Sequence, residues 1–158
     1  MLSIICVGKL KEKPLRALSD EYLKRLNRFD AIEEIELNDL PERENASDKD
    51  RENLIQKEGQ DILSRVGPRD YVIALCIEGK QVDSEGLAKR FESIRLSGHA
   101  RIVFIIGGSL GLSPNVKARA NEKLSMSKMT FPHGLARVML LEQIYRAHKI
   151  TAGERYHK

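Results

Sequence analysis

Apolar residues fall along this chain in two alternating rhythms. Unbroken runs, LSIICVG (2–8), DYVIALCI (70–77) and RIVFII (101–106), are separated by stretches where apolar residues recur every three or four positions. Runs of that length suit strands covered on both faces, and the wider spacing suits helices with one buried stripe. After Gly8, Leu15, Leu18, Tyr22, Leu26 and Phe29 predict a helix with Pro14 in its first turn. AIEEIEL (31–37) reads as a second strand through Ile32, Ile35 and Leu37. A polar loop (38–47) follows. Ser47 then caps a helix that carries Asp48 and Asp50 in its first turn and stops at Gly67-Pro68.

The third strand is the 70–77 run. A helix over 84–97 places Leu87, Phe91, Ile94 and Leu96 on its apolar side and ends at Gly98. The fourth strand runs into Gly107-Gly108, and Ser113-Pro114 opens another helix. KLSMSKMTF (123–131) alternates apolar and small polar residues and reads as an extended wall or weak strand before a last helix beginning near Pro132. Strictly alternating strands and helices predict an α/β fold with a mostly parallel sheet and flanking helices. No linker or repeat interrupts residues 1–158, which read as a single domain. In such sheets a ligand lies beyond the carboxyl ends of the strands, here at Gly107-Gly108 and Glu78-Gly79.

The last helix, PHGLARVMLLEQIYRAHKI (132–150), is apolar almost all round. A lone surface helix keeps a polar back. The sheet covers one side, and the second side is expected to meet another copy of the chain in a homodimer; the competing cover is a helix of the same chain.

Composition narrows the class. Hydrophobic residues make up 41% of the 158 and charged residues 32%, an ordinary globular balance. No apolar run approaches the ~20 residues of a membrane span, and the N-terminal run is too short, with no basic lead, for a secretory signal. A cytoplasmic protein is expected. Cys6 and Cys76 sit in strand-like runs and read as buried free thiols, and no cluster of metal ligands accompanies them. Charge is uneven: residues 1–100 carry a net −3 and residues 101–158 a net +7. A basic C-terminal part suits a polyanion such as nucleic acid.

GGSLG (107–111) follows the fourth strand, so it is not the first-strand fingerprint of dinucleotide sites. It also lacks the Gly-Lys-Ser/Thr of a phosphate-binding loop and the residue order of a nucleophile elbow. What remains is a tight glycine turn, a capped helix and an extended wall. Main chain flanked by aliphatic side chains fits an adenosine moiety.

FIIGGSLGLSP, LSMSKMTFPHGLARVMLLEQIYRAHKI and the ending GERYHK together resemble the small SPOUT-class methyltransferases of bacterial large-subunit ribosomal RNA. The resemblance spans essentially the whole chain and points to the family that methylates N3 of a pseudouridine in the helix 69 loop of 23S rRNA. It implies a C-terminal trefoil knot, an S-adenosylmethionine site within it and a homodimer. The implied cofactor contacts are Leu75, Gly107, Met126, Ser127, Lys128, Met129, Thr130 and Phe131. No metal is expected, because methyl transfer from a sulfonium relies mainly on positioning. The assembled ribosome is the expected docking surface for the RNA.

The acceptor N3–H is weakly acidic, so a base assists its removal. Tyr156 and His157, in the tail, are expected to position the substrate or act as base, with the tail lying over the active site as the resemblance implies. Arg155 is expected to hold phosphate. His133, beside the cofactor loop, orients that loop or touches RNA. Arg137, one turn later, is a second phosphate or base-orienting candidate, or else an intersubunit ion pair. His99 and His148 are set aside as turn and packing residues. Two other classes compete: a non-catalytic RNA-binding module, and an ordinary open-sheet nucleotide enzyme with Asp39 as its acidic ribose ligand.

Overall fold

A computed structural model describes all of residues 1–158. Its five strands are β1 (Leu2–Val7), β2 (Ile32–Leu37), β3 (Tyr71–Lys80), β4 (Ile102–Ile106) and β5 (Glu122–Leu124). The helices are α1 (Lys13–Leu26), α2 (Asp48–Ser64), α3 (Ser84–Leu96), α4 (Pro114–Arg119) and α5 (His133–Thr151). The strands form one parallel sheet in the order β2-β1-β4-β3-β5. The three long apolar runs are its central strands, β1, β4 and β3. β1 and β4 are buried along their whole length, as continuous runs require.

Two cores flank the sheet. Leu26 of α1, Phe91 and Ile94 of α3, and Leu140, Leu141 and Ile144 of α5 pack on one face. Ile62 of α2 and Val116 of α4 pack on the other. The expected caps hold α2 and α4. Ser47 accepts from Asp50 N while Asp50 accepts back from Ser47 N, and Ser113 accepts from Val116 N at 3.2 Å. α1 closes at Leu26, short of Phe29, which a turn directs against Tyr145 at 5.9 Å between ring centres. Leu96, expected on the apolar side of α3, is 89% exposed because it is the last residue of the helix, beyond the sheet's cover.

The α5 expectation is resolved within one chain. This helix lies on the sheet and touches both α1 and α3, so Leu141 and Ile144 are fully buried without any second subunit. Intrachain cover thus accounts for most of its apolar circumference, and leaves Leu135 exposed and Met139 partly so. His148 is buried there too: its Nδ1 lies 2.8 Å from the Ile144 carbonyl and its Nε2 2.8 Å from Arg95, and burial pushes its basicity down. No helix is long and apolar enough to cross a membrane.

Arg137 anchors α5 to the opposite edge of the sheet. Its side chain is fully buried; Nη1 meets Glu36 at 2.6 Å and Glu34 at 3.2 Å, and Nη2 donates to the Gly8 carbonyl at 2.7 Å. Glu34 and Glu36 are two residues apart on β2, so both point to one face. Arg16 of α1 pairs with the same two carboxylates. A buried charge is tolerable only when paired in this way, and removing one partner costs roughly 3–5 kcal/mol. Arg137→Met should lower unfolding free energy by about 3 kcal/mol. Adding Glu34→Gln and Glu36→Gln should return most of the loss. Urea titrations of the three proteins test this; a loss under ~1 kcal/mol, typical of an exposed pair, would show that the network does not anchor the helix.

Candidate active site

A cleft of about 710 Å³ opens beyond the carboxyl ends of β3 and β4. Its walls are the end of β3, the glycine turn after β4, Lys117 of α4, the loop after β5 and the first turn of α5. The chain passes from α4 on one face of the sheet, across these strand ends, to α5 on the other face.

The glycine turn is shaped first by its own chain. Gly108 and Gly111 form an isolated antiparallel bridge, and Gly111 N donates to Gly108 O at 3.1 Å. A β-carbon on Gly107 would lie 2.9 Å from both the Gly111 carbonyl carbon and Leu112 Cδ2. Gly111 has φ of +82°, a conformation natural only to glycine. The nearest neighbour of this strand end is thus the returning turn itself. Behind it, Glu58 of α2 is buried, accepts from Leu40 N at 3.1 Å, and would stand 3.4 Å from a β-carbon on Gly108. Burial pushes its carboxyl up.

The opposite wall is the 125–131 loop. KLSMSKMTF pairs as strand only through Leu124, in β5. There the register shifts, with Leu124 opposite both Leu75 and Lys80, and Gly79 permits the close approach, since a β-carbon there would come within 2.6 Å of the Leu124 carbonyl carbon. Ser125 N still donates to Lys80 O at 3.0 Å. The loop then holds itself, with Ser125 Oγ donating to Ser127 O and Met129 N to Ser127 Oγ.

Leu75, Gly107, Met126, Ser127, Met129, Thr130 and Phe131 line the cleft together, while Lys128 is exposed outside it. His133 lines it as well, standing over Gly8, whose missing β-carbon would lie 3.1 Å from His133 Nε2. Arg137 does not: its guanidinium is committed to Glu34, Glu36 and Gly8, and is closed to phosphate or base. Cys6 is a core thiol pushed up to about 12 by burial. Cys76 departs from the expected core position, because it is half-buried in the cleft wall. Asp39 is exposed and outside the cleft.

The tail lies elsewhere. Tyr156 packs edge-on against Tyr145 at 5.0 Å, under the Arg146 guanidinium, and donates to Glu142 at 3.2 Å. Burial raises its phenol well above the ordinary range. His157 Nδ1 is 3.2 Å from Arg146. His157 lines a second cleft of about 510 Å³ that shares only Leu124, Ser125 and Met126 with the first. Within one chain the tail is therefore across the loop wall from His133. Arg155 is exposed.

Most of the basic excess of residues 101–158 is already engaged. Arg101, Lys117, Arg137, Arg146 and Lys149 are in ion pairs, and Arg119 bonds the carbonyls of Gly67 and Asp70. Lys123, Lys128, Arg155 and Lys158 are exposed and stand outside these pairs. They flank the loop or belong to the tail. Sequence reasoning missed Lys117 and Glu58, since a lysine and a glutamate in amphipathic helices carry no signal beyond solvation.

Residues 1–157 match the family model described as "Predicted SPOUT methyltransferase". The chain is 55% identical over 157 residues to ribosomal RNA large subunit methyltransferase H of Streptococcus thermophilus (strain ATCC BAA-491 / LMD-9), covering 99% of both. It is 57% identical to the protein of the same name from Clostridium novyi, again over 99% of both. The structure of a probable methylase family protein from Haemophilus influenzae superposes with a TM-score of 0.54 at 10% identity, over 99% of this chain and 70% of that one, a likeness of fold alone. The parallel sheet, the glycine turn and the loop wall at its strand ends are thus those of a chain that belongs to the SPOUT methyltransferase family.

Proposed function

We propose that this protein is an S-adenosylmethionine-dependent methyltransferase that modifies N3 of a pseudouridine in the helix 69 loop of 23S ribosomal RNA. The observation that carries the reading is the meeting of Leu75, Gly107 and the 126–131 loop around one cleft at the strand ends. Its volume of about 710 Å³ falls within the ~300–1,000 Å³ typical of small-molecule sites. Leu75, Met126 and Met129 offer aliphatic cover to a flat purine, and the loop main chain offers hydrogen bonds to its edge. When bound, S-adenosylmethionine supplies an activated methyl group on a cationic sulfur. The glycine turn and loop would hold that donor, and positioning of donor against acceptor can lower a barrier by as much as ~7–11 kcal/mol. His133 is the cleft's imidazole and orients or accepts the N3 proton. Exposed Lys123 and Lys128 beside the loop wall, and Arg155 and Lys158 on the tail, suit phosphate contacts.

The relatives named ribosomal RNA large subunit methyltransferase support ribosomal RNA as substrate. The assembled ribosome in the cytoplasm is the setting of this reading, and the C-terminal trefoil knot is its topology. A homodimer belongs to it as well. Leu135 and Met139, one turn apart on α5, remain partly exposed, as does Val82 nearby in sequence to α3. Because each tail packs on its own α5, across the loop wall from its own cleft, a second copy brings the Tyr156-His157 segment to the acceptor.

Ribosomes from cells lacking the gene, incubated with the protein and S-adenosylmethionine, should gain one methyl on a helix 69 pseudouridine by mass spectrometry. A protein that binds the RNA but neither binds nor consumes the cofactor would instead be a binding module.

His157→Ala should reduce turnover on ribosomes about 10²-fold or more, as expected for loss of a proton-transfer or positioning group, with cofactor affinity unchanged by calorimetry. Tyr156 is left in place because its ring packs against the core. Near-normal turnover would return the substrate role to His133 alone.

Leu135→Glu with Met139→Glu should give folded monomers in light scattering at micromolar concentration. Leu141 is unsuitable for this purpose, since a charge there would unfold the chain itself. A wild-type protein already monomeric under these conditions would refute the dimer.

A further inference from the structure

Apart from the His133 imidazole, the cleft is lined by only two ionisable charged side chains, Glu78 and Lys117. They belong to different walls. Glu78 lies on the part of β3 that runs past the end of β4, and Lys117 lies on α4. They meet as an ion pair at 2.5 Å, with side-chain exposures of 53% and 31%, which places them at the mouth. Neither makes another ion pair or side-chain hydrogen bond, so the pair is separate from the networks that hold the fold. Lys117 holds the Glu78 carboxyl below its ordinary range. Such an exposed pair is weak, because water and salt compete with it. It is therefore ready to exchange partners.

The proposed donor carries matching charges. Its amino-acid end is a zwitterion, with an ammonium and a carboxylate on one carbon. Beyond the His133 imidazole and the Cys76 thiol, the rest of the lining is apolar, hydroxylic or main chain, with no other carboxylate for that ammonium. We propose that Glu78 and Lys117 form the subsite for the amino-acid end of the methyl donor: the Glu78 carboxylate takes the α-ammonium and the Lys117 ammonium takes the α-carboxylate. The two side chains part from each other as the ligand enters. This rests on the S-adenosylmethionine reading above, and it assigns the two residues to binding rather than to the chemical step.

Calorimetry with three ligands tests it: S-adenosylmethionine, S-adenosylhomocysteine, and 5′-methylthioadenosine, which keeps the nucleoside and thioether but lacks the amino-acid end. Glu78→Gln and Lys117→Met should each weaken the first two by about tenfold or more, as for the loss of a charged hydrogen bond, and leave 5′-methylthioadenosine within about twofold. A wild-type preference for S-adenosylhomocysteine over 5′-methylthioadenosine supports the same subsite. Unchanged affinity for the amino-acid ligands in both variants overturns it, as does an equal loss for all three ligands. If the wild-type protein binds none of them, the methyltransferase reading fails and the subsite with it; if it binds all three and the variants match it, only the subsite fails. Both side chains are partly exposed, so neither substitution threatens folding.

Discussion

A single fully buried cation, Arg137, joins the two ends of this chain. It sits in α5, yet its partners are Gly8 after β1 and Glu34 and Glu36 on β2. A guanidinium without those partners could not stay in the interior. The pairing therefore settles where the first turns of α5 lie relative to the strand ends. His133 and Ala136, which line the cleft from that helix, inherit their places from it. Arg16 shares the carboxylates, and so α1 is tied to the same point.

Around that anchor the cleft is built from close backbone approaches. Gly107 yields to the returning Gly111, and Gly79 yields to Leu124 where the register of β3 against β5 shifts. Gly59 of α2 leaves room for Ser113, since a β-carbon there would fall 2.2 Å from its hydroxyl oxygen. These contacts are made by the chain itself. A side chain at Gly107 would disrupt the turn before it met any ligand, so substitution there reports on folding and binding together. The rim pair of Glu78 and Lys117 is different in kind, because it serves no such packing.

Charge has been sorted in the same way. Cations of the C-terminal part that look alike in sequence divide into structural partners, such as Arg101 bridging Glu33 and Asp70, and exposed residues of the loop and tail. The tail is also divided. Tyr156 is a packing residue on α5 through Tyr145 and Arg146, whereas Arg155 and His157 remain exposed beside it.

The strands and helices were legible in the sequence because their signals are local. Continuous apolar runs mark β1, β3 and β4, and Ser47 and Ser113 cap helices through hydrogen bonds only three residues long. The glycine turn could also be picked out, since Gly111 has a positive φ that calls for glycine at that very position; the alternation of KLSMSKMTF marked the loop wall, and its cofactor contacts were implied by the family resemblance. Tertiary structure alone decided the fate of the long-range groups. Arg137 reads in sequence as a phosphate or base-orienting group, or an intersubunit ion pair, and becomes a buried intrachain anchor, because its partners lie about a hundred positions away on β2. The tail with His157 is placed over the active site by the family resemblance, and within one chain it lies beyond the loop wall. The apolar circumference of α5 reads as an interface, and most of it is met by α1 and α3, with Leu135 left exposed. In each case the side chain states only that it must be covered or paired, and the fold determines by what.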